Sequence, residues 1–82
     1  MSTTINERIL KLRKSTGLGR TLFCREHGLK ESTLTSIERG DRKPGADILA
    51  IYANAYPQYI LWILTGTTNT KVGQIRPKAP TK

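Results

Sequence analysis

The chain has 82 residues, of which 14 are Lys or Arg and 6 are Asp or Glu, for a formal net charge of +8. A chain of this length builds one small core and leaves no room for an enzyme's cleft beside it, and its basic excess favours a polyanionic partner met by electrostatic steering. A single Cys and a single His exclude an internal disulfide and a multi-cysteine zinc site, and with dispersed carboxylates they assemble no acid, base and nucleophile, so no enzyme, metal or cofactor is expected.

At the amino terminus, Met1-Ser2-Thr3-Thr4 lacks the basic and apolar regions of a signal peptide, and no apolar run is long enough to span a bilayer. The cytoplasm of a bacterial-type cell is the expected compartment, with no membrane partner and no evident small-molecule ligand. Thr4-Ile5-Asn6-Glu7 has the spacing of a capping box and predicts the start of a first helix. Ile5, Ile9 and Leu12 recur at helical spacing as an inward stripe, with Arg8, Lys11 and Lys14 expected to keep their charges in water. Ser15 to Gly19 reads as a connector. A second helix is predicted from about Arg20 to His27, with Leu22, Phe23 and Cys24 facing inward and Gly28 suited to a left-handed cap. Cys24 has no dedicated His and acid partner and reads as packing. His27 reads as a surface residue at a helix end rather than a metal ligand.

Gly28-Leu29-Lys30 leaves room only for a tight turn before a third helix, predicted from about Glu31 to Arg39. Leu29, Leu34 and Ile37 continue the buried face. Glu31, Ser32, Thr33, Thr35 and Ser36 are turned outward, a row of short hydrogen-bonding side chains of the kind that reads base edges. Glu31 admits two readings: it can accept from the exocyclic amine of cytosine, or it can complement the helix dipole from the first turn. Arg39-Gly40-Asp41-Arg42-Lys43-Pro44 then closes the helix with a basic loop. A fourth helix, beginning near Gly45 or Ala46, carries the apolar stripe Ile48, Leu49, Ile51, Tyr52 and Ala55. Pro57 suits the first turn of a fifth helix containing Tyr59, Ile60, Leu61, Trp62, Ile63 and Leu64, which Gly66 stops. That unbroken run exceeds one buried stripe, so Tyr59, Trp62 and Ile63 are expected to meet a second copy of the chain, unless Tyr59 and Trp62 only close the monomer's core. Beyond Gly66 helical periodicity is lost and most of the tail is expected to lack order. Val72-Gly73-Gln74-Ile75 alternates and could form a short strand paired with its twin, which adds Val72, Gln74 and Ile75 to the expected dimerisation set.

Gly28-Leu29, Leu34, Ile37-Glu38-Arg39-Gly40 and Arg42-Lys43-Pro44 together resemble the helix-turn-helix signature of the lambda-repressor-like (Cro/C1-type, XRE) family, and Trp62-Ile63-Leu64-Thr65-Gly66 is similar to its closing segment. The resemblance runs roughly from Thr4 to Gly66. It departs at Gly19, Arg20 and Lys30, where the family usually has Ser or Thr, Gln, and Ser, so two helix starts lack their usual caps. The resemblance implies an all-α fold, a five-helix DNA-binding domain over residues 1–66 followed by a C-terminal arm over 67–82 with a dimer strand near 72–75. It implies that the third helix enters the major groove of double-stranded DNA with Glu31, Ser32 and Thr33 nearest the bases and Ser36 one turn further on. Arg20, Arg39, Arg42 and Lys43 would then contact phosphates. Arg13 would pair with Glu38 and tie the first helix to the end of the third. Cys24 takes the place of the small residue, generally Ala, where the two helices of the motif approach closely.

More narrowly, Leu61-Trp62 followed by Gly73-Gln74-Ile75 and a Pro-containing end is similar to the small C-type repressors of P2-like temperate phages. These are short dimeric proteins without the protease-like second domain through which larger phage repressors are induced. The function implied is a homodimeric, sequence-specific transcriptional repressor of the phage immunity kind, bound to an operator in the host nucleoid. The alternative is an antitoxin-type autoregulator, which uses the same fold with a toxin-binding tail; a protein-interaction module that has lost DNA binding stands behind both.

Overall fold

Caps and glycines divide the chain into five α-helices in the computed structural model, which describes residues 3–78: α1 (Ile5–Thr16), α2 (Arg20–His27), α3 (Glu31–Glu38), α4 (Ala46–Ala55) and α5 (Ile60–Thr65). Short 3-10 helices at Pro57–Tyr59 and Thr70–Val72 flank α5. The all-α architecture is the expected one, and no described helix is long and apolar enough to cross a membrane.

The capping box at the start of α1 is formed in both directions. Thr4 Oγ1 accepts from the Glu7 amide at 3.1 Å, and Glu7 Oε1 accepts from the Thr4 amide at 2.8 Å. These bonds favour the ionised carboxylate and hold Glu7 below its ordinary pKa. By contrast, α2 and α3 begin at Gly19 and Lys30 with no side-chain cap, which follows from the departures at those two positions. Gly28 adopts φ 68°, a left-handed conformation that lets α2 turn directly into α3.

The core gathers Ile9 and Leu12 of α1, Phe23 and Cys24 of α2, Leu34 and Ile37 of α3, Tyr52 of α4, and Trp62 and Ile63 of α5. α1 packs against α3 and α5, and α2 packs against α3. Burial pushes the Cys24 thiol pKa up, which keeps it in the unreactive protonated form. Desolvation likewise raises the Tyr52 hydroxyl well above its usual range. Leu22, expected inside, is 49% exposed: Phe23 and Cys24 take the narrow inward face of α2, and the residue before them is carried off it by the helical rotation. His27 is half-buried rather than at the surface. Its ring stands edge-on to Phe23 at a centroid distance of 4.6 Å, and its Nε2 lies 3.0 Å from the Tyr56 hydroxyl.

The tail does not form the expected strand over 72–75. Thr70–Val72 winds into a 3-10 helix, Gly73 adopts φ 77°, and strand-like pairing among the described residues is confined to one antiparallel bridge between Asn69 and Gln74. A left-handed glycine in the middle of the segment interrupts the extended run that the alternation suggested. Gln74 instead fastens the tail to the body. Its Oε1 accepts from the Leu61 amide at 2.9 Å, its Nε2 donates to the Pro57 carbonyl at 2.8 Å, and the Ile75 amide donates to the Gln58 carbonyl at 2.9 Å. Met1, Ser2 and residues 79–82 of the arm lie outside the described residues.

Arg8 departs furthest from expectation. Expected in water, it is 6% exposed, because it sits three residues after Ile5 and four before Leu12, on the inward stripe itself. Its Nε donates to the Ile63 carbonyl at 2.8 Å and its Nη2 to the Leu64 carbonyl at 3.4 Å, while Nη1 donates to the carbonyl and hydroxyl of Thr3. The guanidinium thus caps the carbonyl end of α5, where the partial charge is negative. Arg8→Ala is expected to lower stability by about 2–4 kcal/mol, whereas Lys11→Ala, on the exposed face, costs less than about 0.5 kcal/mol. Urea unfolding followed by circular dichroism measures both, and equal losses would show that the carbonyl bonds contribute nothing.

Candidate nucleic-acid interface

The outward side of α3 follows from what its inward side is made of. Leu34 and Ile37 are 1% exposed, and at 3.6 residues per turn this places Ser32 and Ser36, one turn apart, on the opposite side. Ser32 is exposed and Ser36 half-buried. Thr33, also half-buried, lies beside Ile37 on one flank. Glu31, Thr35 and Glu38, spaced at four and then three residues, make a stripe along the other flank.

That second flank receives the first turn of α2. The Thr21 hydroxyl donates to Glu31 Oε1 at 3.0 Å, Arg20 Nη1 donates to Thr35 Oγ1 at 3.2 Å, and Arg20 Nε donates to Glu38 Oε1 at 3.0 Å. Glu38 is the most enclosed of these groups, with its side chain 3% exposed against 10% for Arg13 and 43% for Arg20. Arg13 binds it from the α1 side through two parallel bonds, Nε to Oε2 at 2.7 Å and Nη2 to Oε1 at 3.0 Å, and spends its Nη1 on the Leu18 carbonyl at 3.0 Å. Its hydrogen bonds to Glu38 raise the Arg13 pKa still further. The pair between Arg13 and Glu38 is therefore present, and it is extended by Arg20 into a triad. Arg20 does not stand free at the start of α2; it bridges the seam between the two helices and keeps part of its guanidinium in water.

The basic loop follows α3 without a break. Arg39 Nε lies 3.4 Å from Asp41 Oδ2 with both side chains more than half exposed, an arrangement too solvated to hold either firmly. Arg42 and Lys43 are exposed. Asn6, which the sequence reading left without a role, positions this loop: its Nδ2 donates to the Ile37 carbonyl at 2.9 Å and the Arg42 carbonyl at 2.7 Å, and the residue is 8% exposed. An open polar cleft runs between the start of α1 and the loop, lined in part by Thr4, Glu7, Arg39, Arg42 and Lys43. Ser32 and Ser36, Arg20 and the loop cations consequently all belong to α3 or to the segments that touch it.

The residues expected at a dimer interface fall into separate places. Ile63 is 0% exposed and Trp62 8%, so both are spent on the chain's own core, and Tyr59 packs partly against it. Gln74 is occupied by its bonds to α5 and Pro57. Val72 and Ile75 remain outside, 67% and 41% exposed, and Leu64 of α5 is 47% exposed.

Removing the Glu38 carboxylate leaves Arg13 enclosed without its counter-charge. Glu38→Ala is expected to cost about 3–5 kcal/mol, and a combined Arg13→Met, Glu38→Leu replacement to recover most of it. Chemical denaturation of Glu38→Ala, and of Arg13→Met, Glu38→Leu and their double, completes the cycle; strictly additive losses in the latter three would mean that the two groups are not coupled.

No protein-family model matches the chain. Over 79 aligned residues it is 33% identical to the Repressor protein C of Escherichia phage P2, an alignment that covers 94% of this chain and 80% of that protein. With that coverage and a compact five-helix fold, the chain belongs to the C-type phage repressors, a helix-turn-helix family.

Proposed function

We propose that this chain binds a double-stranded DNA operator as a homodimer and represses transcription by occluding it, as the immunity repressor of a temperate phage or prophage. The observation that carries the reading is the outward face of α3, where Ser32 and Ser36 stand opposite the buried Leu34 and Ile37, with Arg20 along one flank of the helix and the basic Arg39–Lys43 loop continuing from its C-terminal end. The kinship with a phage repressor supports it.

In this reading the work is divided. Arg20, Arg39, Arg42 and Lys43 neutralise phosphates and release counterions, which supplies affinity and register for any sequence. The α3 row of Glu31, Ser32, Thr33, Thr35 and Ser36 selects among sequences from the major groove. Because Thr35 accepts from Arg20, the phosphate-binding and base-reading groups share one rigid seam, and Ser32 and Ser36 are the freest to reach base edges. Dimerisation joins two modest half-site affinities into one effective affinity. Its surface is the apolar group that the monomer leaves exposed, Leu64 with Val72 and Ile75, to which Tyr59 adds a half-buried ring; Trp62 and Ile63 support it from beneath.

Ser32→Ala and Ser36→Ala are expected to change preference at individual base pairs by about 1–3 kcal/mol. Arg42→Ala should weaken cognate and random DNA alike and reduce the salt slope by about one unit. Titration of labelled duplexes over a range of salt separates the two outcomes, and uniform losses for all three variants would reject the division. In sedimentation at micromolar concentration the protein is expected to run as a dimer and Ile75→Lys as a folded monomer; a monomeric parent protein would remove the dimer from the proposal.

A further inference from the structure

Glu31 stands out among the groups on the outward side of α3. In a chain with 14 cationic residues against 6 acidic ones, it is an exposed carboxylate that makes no ion pair among the described residues. Arg20, which contacts the same flank of α3, turns to Glu38 and Thr35 instead. Nor does Glu31 cap its own helix. α3 begins without a side-chain cap, and the carboxylate's hydrogen bond reaches across to α2, where the Thr21 hydroxyl donates to Oε1 at 3.0 Å. Its place in the first turn still complements the helix dipole, but its one side-chain hydrogen bond among the described residues is to α2 and not to the start of its own helix.

A carboxylate brought near DNA is repelled by the phosphates, so it lowers affinity for every sequence unless a donor on the duplex compensates it. In the major groove, guanine presents only acceptors, thymine an acceptor and a methyl group, and adenine a donor flanked by the acceptor N7. Cytosine alone presents its N4 amine without an adjacent acceptor on the same base. An ionised carboxylate has no hydrogen to give, so it is attracted by cytosine and opposed by the acceptors of the others.

We infer that Glu31, held by the Thr21 hydroxyl through one oxygen, presents its other oxygen to the N4 amine of a cytosine and selects a C·G pair at one position of each half-site. The inference rests on the proposed DNA-binding function and adds to it a base identity and a positioning residue. Thr21 does not touch the base. It restrains the Glu31 carboxylate, which has three rotatable bonds, to the side of α3 nearest α2, and leaves one oxygen in its acceptor state.

The test is selection of bound duplexes from a random pool by the full chain, run in parallel for the parent protein and for Glu31→Gln, Thr21→Val and Thr21→Ser. The parent is expected to enrich cytosine at one position of each half-site about tenfold over the other bases. Glu31→Gln should move that preference to adenine, since an amide offers both a donor to N7 and an acceptor for N6. Thr21→Val should flatten the preference at that position alone, with the rest of the motif and the salt slope unchanged, and Thr21→Ser should restore it. A selected motif that Glu31→Gln leaves as it was would overturn the inference while the DNA-binding function stands. A motif that changes with Glu31→Gln and not with Thr21→Val would remove Thr21 from it. Failure of the parent protein to enrich any sequence would instead reject sequence-specific binding, and the inference with it.

Discussion

Glu38 registers three helices on one carboxylate. Arg13 of α1 grips it with two parallel bonds and Arg20 of α2 approaches the same oxygen that Arg13 Nη2 uses, while the glutamate itself ends α3. Burial of such a group adds little net stability, because desolvation offsets most of the attraction. Its consequence is angular. With both oxygens occupied from fixed directions, α3 cannot rotate about its axis, and the side chains opposite Leu34 and Ile37 are the ones that face outward. The contact that anchors α3 therefore also decides which of its residues are turned outward. Thr35 and Glu31, one and two turns back along the same flank, are drawn into the seam by the same alignment.

α1 extends this arrangement to the rest of the domain. Asn6, Arg8 and Arg13 are all withdrawn from water, and each ends on carbonyls at the close of another segment: Ile37 and Arg42 for Asn6, Ile63 and Leu64 for Arg8, Leu18 for Arg13. Helix ends carry carbonyls without intrahelical partners, and a small domain has little chain to spare for covering them. A single amphipathic helix that inserts long donors between its apolar residues satisfies several such ends at once. It also explains why α1 packs against both α3 and α5 with only Ile9 and Leu12 of its residues in the core cluster.

What could be read from the sequence was local. The capping box at Thr4, the glycines after α2 and α5, and the uncapped starts at Gly19 and Lys30 depend on residues a few positions apart, and they mark helix limits directly, whereas α1 runs on through Ser15 and Thr16 of the expected connector to Gly17. Arg8 shows that spacing outweighs charge: it follows the Ile5, Ile9, Leu12 stripe inward, and carbonyls rather than water satisfy its guanidinium. Leu22 shows the converse: three successive inward residues are not compatible with a helix, which turns each one by about a quarter of a circle, so hydrophobicity alone does not bury it. The contacts of Thr21, Arg20 and Asn6 were not legible at all. Each joins residues far apart in the chain, and nothing in the local pattern of α3 says which of its flanks α2 will cover.

At the C-terminal end, an alternating pattern that suggests a strand marks instead a segment fastened to the body. α5 has six residues, begins without a side-chain cap of its own, and is apolar at every position but the last. A helix of that composition needs cover on all sides, and the core takes only Trp62 and Ile63. The tail supplies the next part: Gln74 gives the Leu61 amide the acceptor that an N-terminal cap would have given, and in doing so brings residues 72–75 against the start of α5. Left-handed Gly73 makes this possible, since an extended chain would carry the Gln74 amide past its partners instead of turning it back onto them. The start of α5 and the order of the arm thus depend on each other. Leu64, Val72 and Ile75 are left exposed, one on α5 and two on the arm, so the apolar residues that the core does not take reach the surface in both segments.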